Sequence, residues 1–304
     1  MLKNLFSKQP ETQKKSINIA CFADTHTGSS VALHPNVRKI DGVYKTLLEI
    51  GGWKYKHNHH FFLSSAQIKI WEHLQKCLEE TKKLRTGKKL IILLAGDAKD
   101  GPHHNTPQEV TPNLLEQIET HVELMEYIRE SLDYQAGDET YYITGTEVHV
   151  GDDEHSIGKQ LNAHQYEDGF YSADFLEMDL NGVYTWIFHQ GVSAGTHPNR
   201  GNAQRNAMKR IYYDRIAAGK RVPQLIISAH THDSHHETYS PFDGFTMHYI
   251  ILPSWQDKTR YVVQKMAMVT NSVGMRNIEI TGNGKLIIHE AILYQNKRGD
   301  LVTI

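Results

Sequence analysis

The stretch KLIILLAGDAKD, residues 89–100, decides the fold class of this chain. Its first seven residues are nearly all apolar, and Gly96 and Asp97 follow them directly. An apolar run of this length is typical of a strand that is buried on both faces, as in a parallel sheet. Asp97 then lies at the carboxyl end of the strand, which is where open α/β sheets bind their ligands.

Four further runs show the same change from apolar to polar residues. They cover residues 16–23 (SINIACFA), 140–144 (TYYIT), 182–188 (GVYTWIF) and 224–228 (QLIIS). The residues that follow them are Asp24 with His26, Gly145 with Glu147 and His149, His189, and His230 with His232. Because the carboxyl ends of neighbouring parallel strands meet at one edge of a sheet, this regular placement predicts a site with several metal ligands.

The rest of the pattern predicts a single domain, residues 16–304, preceded by a flexible N-terminal tail, residues 1–15. Ser64 and Gln67 have the spacing of a capping box and predict a helix that ends near residue 87. Thr111-Pro112 predicts the start of a second helix. Residues 27–62 have weak periodicity, and we interpret them as an insertion or lid.

Composition excludes several classes of protein. The chain has 33 Lys and Arg against 35 Asp and Glu, a net charge of −2, which argues against a globally basic nucleic-acid-binding protein. Its two cysteines cannot form a disulfide framework or a zinc finger. Because no apolar run approaches the ~20 residues that cross a bilayer and no signal segment is recognisable, we expect a cytoplasmic protein without a membrane partner.

Each short motif is weak evidence by itself. Where a motif occurs more than once, we select the copy that follows a predicted buried strand. Asp-x-His occurs three times, but only Asp24–His26 follows a predicted buried strand. His-x-His occurs twice, and only His230–His232 follows such a strand. Gly-Asp-x-x-Asp occurs once, at residues 96–100. The order of these motifs along residues 17–233 resembles that of the calcineurin-like metallophosphoesterase superfamily. The resemblance implies an α/β fold in which a β-sandwich is flanked by helices, in αββα layers.

The resemblance also implies two divalent cations at one end of the sheets. The implied ligands are Asp24, His26 and His232 for the first cation, Asp97 as a bridge to both, and His189 and His230 for the second. Carboxylate and imidazole without thiolate suit borderline ions, so we expect Mn²⁺, with Fe, Zn²⁺ or Ni²⁺ as alternatives. A water held by two such cations loses a proton near neutral pH and can attack phosphorus.

The third motif departs from the family pattern. The family has Gly-Asn-His there, with Asn on the second metal and His as the proton donor, whereas this chain has Gly145-Thr146-Glu147-Val148-His149. That variant resembles phage- and prophage-type members of the superfamily. We predict that His149 acts as the acid or contacts the second metal, and that Thr146 or Glu147 replaces Asn. Asp100 is expected to orient a ligand rather than to bind metal itself.

A basic segment, residues 200–221, has two interpretations. Arg205 and Lys209 would share one helix face, which is either solvated or forms a phosphate-binding rim. The second interpretation favours a nucleotide or a nucleic acid as the phosphoester substrate.

We therefore predict a metal-dependent phosphoesterase that hydrolyses a phosphodiester. A phosphomonoesterase or protein phosphatase is the alternative within the same chemistry. It fits less well, because Asp100 is followed by Gly101-Pro102 where protein phosphatases have an arginine. The alternative of another class is a catalytically weak scaffold that uses the fold for protein interaction, but a scaffold has no need of the six implied ligands.

Overall fold

The structure is a computed structural model that describes residues 14–35, 37–40, 43–46, 53–54, 60–61, 63–102, 108–241, 244–265 and 271–295. Most of the predicted N-terminal tail, residues 1–13, lies outside the described residues. Of the helices in the described part of the chain, none has both the length and the apolar character needed to cross a membrane.

Nineteen elements are described. The strands are β1 (Ile17–Phe22), β2 (Val37–Ile40), β3 (Val43–Thr46), β4 (Trp53–Lys54), β5 (His60–Phe61), β6 (Lys89–Ala95), β7 (Glu139–Ile143), β8 (Phe175–Leu180), β9 (Val183–Gln190), β10 (Leu225–Ala229), β11 (His235–Tyr239), β12 (Met247–Ile251), β13 (Asn271–Ile280) and β14 (Leu286–Gln295). The helices are α1 (Ser65–Leu84), α2 (Leu114–Ser131), α3 (Asp153–Gln160), α4 (Asn202–Ala217) and α5 (Arg260–Lys265).

Two five-stranded mixed sheets face each other. The first has the order β14-β13-β1-β6-β7, with β1, β6 and β7 parallel. The second has the order β11-β12-β10-β9-β8, with β9, β10 and β12 parallel. Helices α1, α2 and α3 pack on the outer face of the first sheet, and α4 packs on the outer face of the second. The predicted fold, a β-sandwich flanked by helices, is confirmed.

The burial of both strand faces explains the apolar runs. In β6, Ile92 and Leu94 pack with the helices, while Ile91 and Leu93 pack against the second sheet. Successive side chains point to opposite faces of a strand, so a strand with an apolar neighbour on each side needs apolar residues at every position. The first polar residue therefore comes where the strand leaves the sandwich.

The helix starts follow local capping chemistry. Ser64 and Gln67 form the predicted capping box at the start of α1, in which each side chain accepts a hydrogen bond from the other residue's backbone N–H. The prediction for α2 was two residues early, because Asn113 is its N-cap and accepts from the backbone N–H of Leu115. Thr111 instead donates its hydroxyl to the Glu116 carboxylate in the first turn.

The segment interpreted as an insertion or lid begins inside the core. Leu33 is fully buried and belongs to the core beneath α1, and the backbone N–H of Thr27 donates to Ala98. Two short hairpins, β2–β3 and β4–β5, follow. The other residues between 36 and 62 lie outside the described part, so the interpretation of residues 27–62 as an insertion or lid stays a prediction.

Candidate metal centre

The loops that follow β1, β6, β7 and β10, together with the end of β9, bring acidic and imidazole groups together at one end of the sandwich. Three groups have all their ligand atoms within 4.8 Å of one another: Asp24, His26 and His232; Asp97, His189 and His230; and His26, Asp100 and His149. The first two groups have the membership that the family resemblance implies for two separate cations.

Asp97 lies between these two groups. Its Oδ2 is 3.2 Å from Nε2 of His189 and 3.9 Å from Nε2 of His26. Asp24 is similarly shared, since its Oδ1 is 3.6 Å from Nε2 of His232 and 3.9 Å from Nε2 of His189. Both carboxylates are almost completely buried. One oxygen of each faces imidazole nitrogens, while the other accepts a backbone N–H, from His230 for Asp24 and from Thr146 for Asp97.

Five of these residues have a strained backbone. The φ angles are 50° at Asp24, 41° at His26, 51° at Asp97, 72° at His230 and 53° at His232. Residues other than glycine rarely adopt positive φ, at a cost on the order of 1–3 kcal/mol each. Backbone bonds between the loops hold this conformation, since Asp24 donates to Gly96 and His26 donates to Asp97. Such strain is concentrated where a protein aims side chains at a ligand.

Gly96 makes the close approach of these loops possible. Its φ is +85°, and a Cβ at this position would lie 2.2 Å from Nδ1 of His189. Only glycine fits there, which gives the Gly-Asp pair a physical reason beyond its place in a motif.

Hydrogen bonds orient the imidazoles so that Nε2 faces the site. Nδ1 lies 2.8 Å from the Ala95 carbonyl oxygen in His189 and 2.5 Å from the Asp100 carbonyl oxygen in His149. A carbonyl oxygen only accepts, so Nδ1 carries the proton and the lone pair of a neutral ring is on Nε2. In His26, Nδ1 lies 3.2 Å from Oδ1 of Asp100, the carboxylate–histidine arrangement that supports metal ligands.

The buried atoms fit a bound cation. Oδ1 of Asp24 and Nε2 of His189 are buried and accept or donate no hydrogen bond that satisfies normal geometry. A buried carboxylate oxygen without a donor is costly unless a positive charge compensates it. A divalent ion supplies that charge, and the donor set of imidazole and carboxylate suits Mn²⁺, Fe, Zn²⁺ or Ni²⁺.

The pKa values reflect the same need for compensating charge. Burial alone would raise the pKa of Asp97, but the hydrogen bond and charge of His189 outweigh it and hold the pKa well below its usual range. Burial alone would lower the pKa of His189, but Asp97 and Asp24 raise it to about 9. Without metal, protons on the imidazoles therefore provide the positive charge that these carboxylates require.

The third motif supplies support for Asp97. The Thr146 hydroxyl lies 2.7 Å from Oδ1 and 2.8 Å from Oδ2 of Asp97, and its backbone N–H donates to Oδ1. Glu147 is exposed and belongs to none of the three ligand groups. Of the two residues predicted to replace the family's Asn, only Thr146 thus reaches the site. His149 faces His26 edge-on, with ring centroids 4.7 Å apart.

Glu154 was missed by the sequence analysis. Its two carboxylate oxygens accept from the backbone N–H groups of Ala98 and Gly145, at 3.2 and 2.7 Å, and so tie the second and third ligand loops together. Complete burial raises its pKa to about 8. In the sequence it belongs to an acidic run, but Val150 and Ile157 have helical spacing with it, and that spacing indicates a buried face.

A cavity of about 460 Å³ opens beside the clustered side chains. Small-molecule sites commonly have volumes of about 300–1,000 Å³, so the cavity has a suitable size for one. Its lining is His26, Asp97, His149, residues 193–196, residues 230–233, residues 256–259, Tyr261, Val262 and Asn271. Gln256 in this wall donates to the Asp100 carboxylate.

Arg205 and Lys209 lie elsewhere. Neither lines this cavity, and the Arg205 guanidinium forms an ion pair with Glu237, with Nε 3.3 Å from Oε1. Lys209 is exposed on α4. Of the two interpretations of the basic segment, this placement favours the solvated helix face over a phosphate-binding rim at the site.

No protein-family model matches this chain, and no curated protein matches it. Solved structures are similar to it, among them the following three. A conserved uncharacterized protein, a predicted phosphoesterase from Streptococcus pneumoniae, is 9% identical over 92% of this chain and 98% of that chain, with a TM-score of 0.31. Vps29 from Entamoeba histolytica, complexed with Zn²⁺, is 10% identical over 91% and 98%, with a TM-score of 0.34. The sulfate thiohydrolase SoxB from Thermus thermophilus, in complex with glycerol, is 11% identical over 90% and 56%, with a TM-score of 0.38. At these identities the likeness says nothing about activity or substrate.

Proposed function

We propose that this protein is a metal-dependent phosphoesterase that hydrolyses phosphodiesters with two divalent cations. The observation that carries the proposal is the position of Asp97. Its Oδ2 is within 4 Å of Nε2 of His189 in one ligand group and of His26 in the other. A carboxylate between two imidazole groups suits a bridge between two cations ~3.5–4 Å apart, the spacing of two-metal phosphoryl-transfer sites.

The chain's own residues divide the work. In this proposal Asp24, His26 and His232 hold one cation, His189 and His230 hold the other, and Asp97 contacts both. When bound, the cations supply Lewis acidity, which lowers the pKa of water and neutralises charge on the phosphate oxygens. Mn²⁺ is the expected ion, with Fe, Zn²⁺ or Ni²⁺ as alternatives.

His149 is proposed as the proton donor to the leaving group. It lines the cavity beside His26, and its Nδ1–H is directed to the Asp100 carbonyl oxygen. That bond fixes the ring and leaves Nε2 toward the cavity, where an imidazolium proton is available to an ester oxygen.

The choice of a diester rests on the charge of the cavity. Among its described lining residues Lys258 is the only lysine or arginine. Sites that hold the more highly charged phosphomonoesters commonly use arginine forks, which this wall lacks within the described residues. The scaffold alternative is disfavoured by the five strained residues, because a protein-binding surface needs no positive φ at Asp24 or His230.

Metal analysis combined with hydrolysis of p-nitrophenyl phosphate and bis-p-nitrophenyl phosphate tests the proposal. We expect two equivalents of divalent ion and a higher kcat/KM for the diester. Asp97→Asn should abolish turnover and metal binding together, while Asp214→Asn on the exposed face of α4 should reduce neither. Full activity without divalent ions, or an active Asp97→Asn variant, would refute it.

A further inference from the structure

The cavity beside the metal ligands has two unlike walls. One wall is the loop after β9, where Ser193, Gly195 and Thr196 offer small polar groups. The second wall is residues 256–259 and the start of α5, where Tyr261 and Val262 are half-buried. Four members of the ligand groups, His26, Asp97, His230 and His232, also line the cavity, and we call them its floor. A group attached to a phosphate bound by the floor can therefore contact these walls.

The wall that carries Tyr261 is fixed to the metal ligands. The backbone N–H of Trp255 donates to the carbonyl oxygen of Asp24, at 3.0 Å, and Gln256 donates to the Asp100 carboxylate, at 2.9 Å. Asp257 is anchored from the other side, since its backbone N–H donates to Val31 at 2.8 Å. These bonds hold the distance between the wall and the floor, which lets the wall discriminate between substrates.

The chemistry of the walls suits a nucleoside. Tyr261 and Val262 provide an apolar, aromatic surface, on which every nucleobase can stack because each has a π-face. Ser193 and Thr196 are exposed and provide hydroxyl groups for sugar hydroxyls. A lipid chain has no polar groups that could pair with these hydroxyls, and a free sugar would leave the aromatic wall uncovered.

The single basic side chain in the lining of the cavity limits the size of the ligand. A groove that follows a polynucleotide needs a row of Lys and Arg for successive phosphates. In the described lining of this cavity Lys258 stands alone against the acids Asp97, Asp233 and Asp257. Asp233 is itself held by Arg200, whose two terminal nitrogens lie 2.6 and 2.8 Å from its oxygens. One lysine matches one phosphate group, and the volume of about 460 Å³ matches a small molecule.

We propose that the wall formed by Lys258 and Tyr261 selects small phosphodiesters in which one ester group is a nucleoside, with the base stacked on Tyr261 and the phosphate beside Lys258. This inference rests on the proposed phosphodiesterase function and adds the substrate class and two residues that determine specificity.

The test compares two diesters with the same leaving group, thymidine 5′-(p-nitrophenyl) phosphate and methyl p-nitrophenyl phosphate. The wild-type protein should favour the nucleoside ester in kcat/KM. Tyr261→Ala should reduce this preference about tenfold, the effect of one lost base stack, while Tyr261→Phe should keep it. Val263→Ala is the matched control, because Val263 is exposed on the same helix and does not line the cavity. Lys258→Met should raise KM for both esters.

Binding of thymidine monophosphate to the metal-free protein, measured by calorimetry, gives a second readout. Tyr261→Ala should weaken it about tenfold and Val263→Ala should not. If the wild type hydrolyses neither ester but binding depends on Tyr261, the proposed function fails and the nucleoside site stands. If both esters are hydrolysed equally and Tyr261→Ala changes neither the ratio nor binding, the nucleoside site is wrong and the phosphodiesterase stands. A strong preference for oligonucleotides over the small ester would also overturn it.

Discussion

The Thr146 hydroxyl reaches both carboxylate oxygens of Asp97, at 2.7 and 2.8 Å, and the Thr146 backbone N–H donates to one of them. Thr146 therefore orients the carboxylate that lies between the two ligand groups. We expect Thr146→Val to weaken metal affinity on the order of 10-fold, because supporting residues of this kind commonly contribute 10–100-fold. Thr146→Ser should preserve the affinity, since it keeps the hydroxyl. Competition titration with a chelating indicator measures both, and equal affinity in all three proteins would contradict this role.

The role of His149 can be separated from metal binding by the choice of leaving group. As a proton donor, it should matter most when the leaving group is a poor one. We expect His149→Ala to reduce hydrolysis of a nucleoside alkyl diester about 10²–10⁴-fold and of nitrophenyl diesters less than 10-fold. His164→Ala, an exposed histidine, is the control. Equal losses on both substrates together with reduced metal content would indicate a ligand instead.

The acid stability of the metal-free protein should depend on His121. This residue is fully buried beneath the first ligand loop, with Nδ1 3.2 Å from the Thr25 hydroxyl and Nε2 3.2 Å from the Tyr142 hydroxyl. Burial lowers its pKa to about 4, whereas in the unfolded chain it is about 6.5. Between these values the unfolded state binds the extra proton, so the free energy of unfolding falls as the pH decreases from about 6.5 to about 4.

The measurement is urea unfolding at several pH values in wild type and His121→Gln. The wild type should lose up to about 3 kcal/mol more than the variant across that window. Parallel pH profiles of the two proteins would show that His121 does not titrate in this way.

Glu154 should contribute to both stability and metal binding. At pH 9, above its pKa of about 8, Glu154 is ionised and both its oxygens accept. Glutamine in its place has one acceptor oxygen, so at this pH one of the N–H groups of Ala98 and Gly145 would face an amide NH₂. We expect Glu154→Gln to lower the free energy of unfolding by about 1–3 kcal/mol and to weaken metal binding. Glu167→Gln, at an exposed position, should change neither. Chemical denaturation with and without Mn²⁺ distinguishes the two effects, and unchanged stability would show that the carboxylate is not needed to pair these loops.

The basic face of α4 should be dispensable for small substrates. Arg205 is paired with Glu237 and neither Arg205 nor Lys209 lines the cavity. We expect Arg205→Gln with Lys209→Gln to change kcat/KM for a small diester less than twofold and to cost about 0–1 kcal/mol of stability. A large rise in KM, or a weaker salt dependence of turnover, would return these residues to the phosphate-binding interpretation.

Much of the site could be located from strand ends alone. Asp24, Asp97 and His189 directly follow or end apolar runs, and the structure brings all three together. The support around them could not be found that way. Glu154 belongs to an acidic run that resembles a solvated surface, and its burial depends on where α3 packs against β7. The partner of Arg205 was equally hidden, because Glu237 lies on β11, a strand without an apolar run.

The sequence alone determined the order of the elements. It also determined that the polar residues lie at the carboxyl ends of the apolar strands. A strand buried on both faces must be apolar throughout, so its first carboxylate or imidazole marks the point where it leaves the core. Which of the 20 histidines meet was decided only by the tertiary structure. His26 and His232 are 206 residues apart in the sequence, but their Nε2 atoms lie 3.3 Å from each other. They meet because the two sheets pack face to face and their loops converge at one end. No local pattern contains that distance, since it depends on packing between sheets that the chain forms separately.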